Sequence, residues 1–419
     1  MPTSMQSIFR EHFAAYAQAR NLSLRELRAA SAIMKCGTAA MGGHVLECPE
    51  GHYQRIQYHS CRHRSCPRCA EQPRQQWVQA ALARLLPCEH FHAVFTLPHE
   101  FIALWAFNRE VLSNALLNSA RQSLLQLCAD PRHLGARVGI LMALHTWGRT
   151  LSQHPHVHCL VSAGGIDPEG QWRNSRGSYL VPVKALAALF RGKLLARLSE
   201  LLERGLLTLP SAAPQAHWRA CIARQYRVHW NVQLAQRYEH GRGVALYLAR
   251  YVKGGALPKS RALWEHDQQV SFAYTDHRDG RAKTLSLKPQ QFLARVLWHA
   301  PPRGQHMVRY CGLYATGAAH EHARARAALT AQPMPAMPQP LASHRLDTAA
   351  AHVVECPQCK RPLARTLNLL PAHHEGENSN TPPTTAEALG PTLRSSGHPT
   401  AIDDFALHRR PQRRRMPLN

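Results

Sequence analysis

The sequence predicts an α+β fold with a small metal-stapled module towards its N-terminus, and three observations carry the prediction. Five of the twelve cysteines fall between Cys36 and Cys69, mixed with histidines in a stretch too poor in aliphatics to fill a core unaided. Two apolar runs, 138–147 and 155–163, flank a polar, turn-like segment and read as an antiparallel strand pair. Between the strand candidates lie long stretches with apolar residues at helical spacing, 100–130 and 183–207 among them.

In chain order, residues 6–35 read as one or two amphipathic helices, with Ser23 capping Leu24-Arg25-Glu26-Leu27. The Cys/His segment 36–72 follows, then a helix over 76–86. Phe91-His92-Ala93-Val94-Phe95-Thr96-Leu97 has strand composition and stops at Pro98. Beyond the strand pair, Gly164-Gly165 and the polar residues to Ser178 predict a loop, 183–207 a long helix and 228–235 another strand. Gly241 and Gly243 precede a short helix carrying Tyr247-Leu248-Ala249-Arg250-Tyr251, which Gly254-Gly255 and Pro258 end. Segments 270–275 and 283–287 predict a hairpin across a basic, Gly-containing turn, and 289–299 a further helix. After about residue 317 Ala, Pro and His replace the aliphatic periodicity. Beyond His374 a Ser, Thr, Pro and Asn-rich composition closing on an arginine run predicts a disordered tail.

The net charge of +25, from 51 Lys and Arg against 26 Asp and Glu, is spread along the whole chain. Such an excess repels itself in a compact state unless a polyanion neutralises it, so the expected partner is nucleic acid. No basic amphipathic membrane anchor, no apolar run of 18 residues and no secretion signal are evident, which reads as a cytoplasmic protein without a membrane partner.

The chemistry concentrates in His154-Pro155-His156-Val157-His158. Side chains alternate along a strand, so His156 and His158 share a face and converge on one cation. A turn centred near Thr150-Leu151 sets His145 opposite His156 as the third ligand, with His154 and Gln153 as fallbacks. An ion held this way keeps open positions and acts as a Lewis acid on a phosphodiester. Tyr247 and Tyr251, four apart on one helical stripe, are the candidate nucleophiles, with Arg250 and Lys253 supplying positive charge. Attack by a phenol leaves DNA joined to tyrosine through a 5′-phosphate and frees a 3′-hydroxyl; a second tyrosine permits exchange of ends within one site.

Cys66-Pro67-Arg68-Cys69 predicts a zinc knuckle, and Cys48 with His52 can supply the opposing pair of a closed, structural Zn²⁺ site. Cys61, Cys36, His44 and His63 complete a second site or replace a member of the first. Cys356-Pro357-Gln358-Cys359, with His373-His374, is another possible knuckle. Cys88, Cys128, Cys159, Cys221 and Cys311 read as small buried hydrophobes. The loop from Gly254 to Ser260 lacks the glycine a phosphate-binding loop needs before its lysine, so no NTPase is implied.

With the cysteine cluster, His-Pro-His-Val-His and Tyr-Leu-Ala-Arg-Tyr in this order, the chain resembles the insertion sequence 91 family of transposases, a rolling-circle branch of the HUH endonucleases. The likeness runs from about residue 5 to 315 and includes Phe91 to Pro98, Thr146-Trp147-Gly148, 274–287 and Arg309-Tyr310-Cys311-Gly312-Leu313. It implies an HUH-type palm, a central antiparallel sheet with flanking helices, beside an N-terminal zinc-binding domain. His156 and His158 would be metal ligands, and Tyr247 and Tyr251 nucleophiles. The expected organisation is a helical lead and zinc domain (1–75), a nuclease domain (76–316), an extension with a possible knuckle (317–374) and a basic tail (375–419).

Two departures stand out: relatives tend to carry a Cys-x-x-Cys where Cys48 is followed here by Glu50 and Gly51, so that His52 stands in or this zinc site is altered, and His145 stands where they tend to carry glutamine, which favours Mn²⁺ or another softer ion over Mg²⁺. The implied function is a transposase that nicks and transfers single-stranded DNA, associated with the nucleoid when bound to it. The alternatives are a plasmid replication initiator or relaxase of the same chemistry, and a non-cleaving zinc DNA-binding regulator.

Overall fold

The computed structural model describes residues 2–69, 71–238, 255–257, 261–276, 279–302, 304–331 and 354–371. The helix expected around Tyr247 and Tyr251, His373-His374 and the basic tail lie outside the described residues. In chain order the elements are β1 (Pro2–Thr3), α1 (Met5–Gln18), α2 (Leu24–Lys35), β2 (Gly43–Glu47), β3 (Gln54–Tyr58), α3 (Glu71–Arg84) and β4 (His90–Thr96). There follow α4 (Ile102–Phe107), α5 (Arg109–Ala129), β5 (Arg137–Trp147), β6 (Gln153–Ile166), β7 (Trp172–Asn174), α6 (Val183–Glu203), α7 (Gln215–Gln225) and β8 (Val232–Tyr238). The remainder are β9 (Leu263–His266), β10 (Gln269–Thr275), β11 (Ala282–Leu287), α8 (Pro289–Leu297), β12 (Val308–Gly312), α9 (Ala319–Thr330) and β13 (Ala364–Leu369).

The strands form three sheets. The central one runs β12-β5-β6-β4-β8 with β7 added to β6, and its pairings are antiparallel. A second runs β1-β9-β10-β11, and a third, β13-β2-β3, unites strands from opposite ends of the chain. Among the described residues no helix is long and apolar enough to cross a membrane.

Period-two alternation divides the central sheet into two unlike faces. Phe91, Ala93 and Phe95 of β4, Ile140, Met142 and Leu144 of β5, and Val157, Cys159 and Val161 of β6 pack with buried side chains of α5 and α6 in the largest core. Phe95 meets Phe190 of α6 edge-on at 4.9 Å between ring centroids. Burying such a ring contributes roughly 1.5–3 kcal/mol. On the reverse face Leu141, Ala143 and Leu160 lie under Leu85 near α3 and Ala325 and Leu329 of α9. The histidines occupy that same reverse face, further along the strands. A third core joins α1 and α2 to Cys36, Cys66, Val270, Phe272 and α8, so the N-terminal segment shares its interior with residues far along the chain.

Three expectations differ from the structure. Gly164-Gly165 belongs to β6, which continues to Ile166 and pairs with β5 and β7. A Cβ at Gly165 would stand 2.4 Å from the Arg137 carbonyl oxygen, so glycine here permits close strand approach. Helix α9 forms where aliphatic periodicity fades, because its alanines favour helix and Ala325 and Leu329 suffice to anchor it. Helix α7 was not expected; Trp218, Cys221 and Ile222 seat it on the main core.

Candidate metal centres

The turn between β5 and β6 fixes which residues meet. Gly148 N donates to Ser152 O at 3.0 Å and Leu151 N to Gly148 O at 3.1 Å. Arg295 of α8 donates to Thr150 O at 2.8 Å, Arg149 to Thr275 O at 2.6 Å, and His299 Nε2 to Leu151 O at 3.0 Å. Held from three sides, the hairpin pairs His145 with His156 and Ala143 with His158. A slip of one residue would turn every histidine to the opposite face.

His145, His156 and His158 bring one ring nitrogen each to within 4.8 Å of one another, a group that can hold a metal ion. Their ring centroids are 4.1 Å (His145 to His158), 4.8 Å (His156 to His158) and 5.2 Å (His145 to His156) apart. The fallback His154 is not a member of the group. His154 instead contributes its carbonyl oxygen, which accepts from His156 Nδ1 at 2.6 Å and leaves Nε2 of His156 as the lone-pair donor. Burial above all, and then the neighbouring imidazoles, push His158 down to about 2 and His145 well below the usual histidine range. Burial likewise brings His156 to about 4. All three are therefore neutral at physiological pH, the form that ligates a cation.

One further side chain belongs here that sequence reasoning passed over. His92 of β4 places Nε2 2.8 Å from Nδ1 of His158, and burial lowers its own pKa to about 4. A neutral His92 accepting from Nδ1–H of His158 fixes the tautomer that aims Nε2 of His158 away from it. The signal was present in the sequence, since His92 is a polar residue between Phe91 and Ala93 of a largely apolar strand. Its partner, however, lies 66 residues away.

Seven of the twelve cysteines fall into two groups. Cys36, Cys61, Cys66 and Cys69 bring their sulfurs within 4.8 Å of one another, with Cys69 3.4 Å from Cys36 and 3.7 Å from Cys61. Tetrahedral zinc with bonds of about 2.3 Å needs sulfurs roughly 3.8 Å apart, so the donors fit. Gly37, directly after Cys36, takes φ +66°, a left-handed conformation that favours glycine. The opposing pair expected for Cys66 and Cys69 thus differs from the one found. Cys48 and His52 stand instead with Cys356 and Cys359. The expected pairing relied on sequence proximity, whereas strand β13 brings the distant pair alongside β2. His44 and His63 join neither group; His63 Nδ1 accepts from Ser65 N at 3.1 Å.

Tyr247 and Tyr251, with Arg250 and Lys253, lie outside the described residues. The chain is described again at Gly255, where a Cβ would stand 2.8 Å from the Ser65 carbonyl oxygen. Four residues beyond Tyr251, the backbone is therefore pressed against the cysteine module, next to Cys66.

Comparison with known proteins yields two family models and two relatives. A model described as "Putative transposase" matches residues 139–322, which include His145, His156 and His158. One described as "Transposase zinc-binding domain" matches residues 8–97. "Putative transposase y4qJ" of Sinorhizobium fredii (strain NBRC 101917 / NGR234) is 36% identical over 312 residues, covering 73% of this chain and 78% of that protein. The transposase for insertion sequence element IS801 of Pseudomonas savastanoi pv. phaseolicola is 33% identical over 300 residues, 69% of this chain and 70% of the relative. No solved structure matches.

Proposed function

Since the chain belongs to the insertion sequence 91 family of transposases, we propose that it nicks single-stranded DNA at element ends and transfers the strand by a rolling-circle route through 5′-phosphotyrosine intermediates. The observation that carries this reading is the convergence of three neutral imidazoles, His145, His156 and His158, on one face of the β5–β6 hairpin. They are the proposed ligands of Mg²⁺ or, given an all-nitrogen donor set, Mn²⁺. When bound, the ion would withdraw charge from the scissile phosphate.

The residues of the chain divide the rest of the task. Tyr247 or Tyr251 attacks phosphorus through its phenolic oxygen; the phosphorus to 3′-oxygen bond breaks, and the 3′-oxygen leaves with a proton as the free hydroxyl. The bond energy is conserved in the phosphotyrosine, so rejoining needs no nucleotide cofactor. The contact of Gly255 with Ser65 supports a supporting role for the cysteine module in positioning the tyrosine segment. Cys36, Cys61, Cys66 and Cys69 are the proposed ligands of the structural Zn²⁺ in that module. The net charge of +25 supplies the electrostatic attraction to DNA.

The test is incubation of the full chain with Mn²⁺ or Mg²⁺ and end-labelled single strands, followed by detergent electrophoresis. A denaturation-resistant adduct is expected, lost on changing both Tyr247→Phe and Tyr251→Phe and reduced on the order of a thousandfold by His158→Ala. An adduct that survives the double tyrosine change removes the nucleophile assignment. DNA retention without any adduct favours the non-cleaving regulator, and cleavage confined to a replication origin favours the initiator.

A further inference from the structure

We propose that Cys48, His52, Cys356 and Cys359 hold one structural Zn²⁺ that fastens the C-terminal knuckle of the chain onto its N-terminal module. This metal site is separate from the cysteine-only group and does not depend on the nuclease reading.

The donor geometry comes first. All four ligand atoms lie within 4.8 Å of one another; Cys48 Sγ is 3.5 Å from Cys359 Sγ and 3.9 Å from His52 Nδ1. A zinc ion with bonds of about 2.3 Å to sulfur and 2.0–2.1 Å to nitrogen requires tetrahedral edges of roughly 3.5–3.8 Å, which these separations bracket. A disulfide would need sulfurs about 2.05 Å apart, whereas Cys48, Cys356 and Cys359 are free thiols and the sulfurs of Cys48 and Cys359 stand 3.5 Å apart.

The backbone repeats the same device on both sides. Cys48 N donates to Tyr53 O and Cys356 N to Arg361 O, both at 2.8 Å and both five residues on. Gly51 N returns to Cys48 O at 2.8 Å, and Lys360 N to Cys356 O at 2.9 Å. Gly51 and Lys360 both take positive φ, +72° and +61°. Each cysteine is followed by proline, Pro49 and Pro357, which leaves fewer amide donors to compete in the tight turn. The two knuckles thus face each other as near copies, and Arg361 forms an ion pair with Glu50 between them.

Something must also offset the entropy of closing so long a loop, since Cys48 and Cys359 are 311 residues apart. Hydrophobic burial does not do it. In β13 every residue from Ala364 to Asn368 is exposed, Leu367 by 58%, while the strand still pairs along β2 from Glu47 to Gly43. Cys356, by contrast, is fully buried at the knuckle. A metal cross-link supplies the missing cohesion at the point where the two segments meet. The segments matched by the family models end at residues 97 and 322, so neither includes this pair.

The experiment measures zinc per chain in the full-length protein by elemental analysis. The double change Cys356→Ser and Cys359→Ser should remove one equivalent relative to the unaltered chain, and His52→Cys should retain it. In cobalt-loaded protein, His52→Cys should raise the thiolate charge-transfer absorbance by one ligand in seven, because the two proposed sites hold four and three thiolates. Since the double variant can misfold, the unaltered chain is also labelled with a maleimide and mapped by mass spectrometry. Cys48, Cys356 and Cys359 should be protected together and become reactive together when zinc is withdrawn. Unchanged zinc content in a folded double variant, labelling of Cys356 and Cys359 at the rate of free thiols in the loaded chain, or a disulfide between Cys48 and either of them would overturn the proposal.

Discussion

The histidine hairpin and the cysteine clusters both gather metal-ligating side chains, but they achieve it by opposite means. His145, His156 and His158 ride on adjacent strands of a sheet whose other face is packed with Phe91, Phe95, Ile140 and Val157, so backbone pairing and hydrophobic burial set their positions. The segments that carry Cys48, His52, Cys356 and Cys359 have little such support: all five residues of β3 are exposed, as are five of the six in β13. In the first region an ion would be a guest of a finished structure; in the second it is part of the framework. Donor atoms a few ångströms apart therefore do not by themselves say whether a metal is catalytic or structural. What holds the donors does.

The sharpest way to break this contrast is to remove the framework ion. Cys48→Ser should cost most of the folding free energy of the segments that its group joins, about 10 kcal/mol if the site behaves as other structural zinc sites do. In hydrogen exchange, the amides of 43–58 should lose protection while those of β5 and β6 keep theirs. Equal loss of protection in β5 and β6 would show that the sheet too depends on zinc, and the distinction between guest and framework would fall.

The same contrast explains what could be read in the sequence. The β5–β6 hairpin was legible down to the partner of His156, because alternation, a polar turn and a short count of residues are all local. The strand of Phe91 and Phe95 and the cap at Ser23 were legible for the same reason; the structure shows the reciprocal Ser23 and Glu26 capping box. The grouping of cysteines was not, since many four-ligand combinations satisfy one list of spacings and only the three-dimensional pairing of β13 with β2 selects among them. His92 was missed because the order of strands in a sheet is a non-local property. Gly164-Gly165 misled because glycine marks both turns and close strand contacts.

A finer test asks how firmly the sheet presets its histidines. His92 should act as a positioning residue through its 2.8 Å contact with His158. His92→Ala should lower affinity for the divalent ion, and with it adduct formation, about 10- to 100-fold, the usual cost of losing an outer-shell partner. Titrating Mn²⁺ separates this from a plain loss of stability: the half-saturating concentration should rise while adduct formation recovers at high Mn²⁺. An unchanged midpoint with reduced melting temperature would make His92 an ordinary core residue.

The smallest expected effect concerns pH, and it tests whether the sheet is built on burial alone. His90, at the start of β4, is fully buried with Nε2 2.6 Å from the Tyr314 hydroxyl, and burial lowers its pKa from 6.5 to about 4. Because the folded value lies below the unfolded one, the unfolded chain takes up the proton first as pH falls. The stability His90 contributes is complete above about pH 6.5 and is lost progressively towards pH 4. Between pH 7 and pH 5.5 the loss from this one group is about 1 kcal/mol. His90→Gln preserves a hydrogen-bonding group for Tyr314 but cannot titrate, so urea unfolding of the variant should show a pH dependence weaker by that amount. If variant and parent lose the same stability over this range, His90 is already protonated or solvated in the folded chain. The reverse face of the sheet would then not be the closed, burial-driven surface that presets the histidine group.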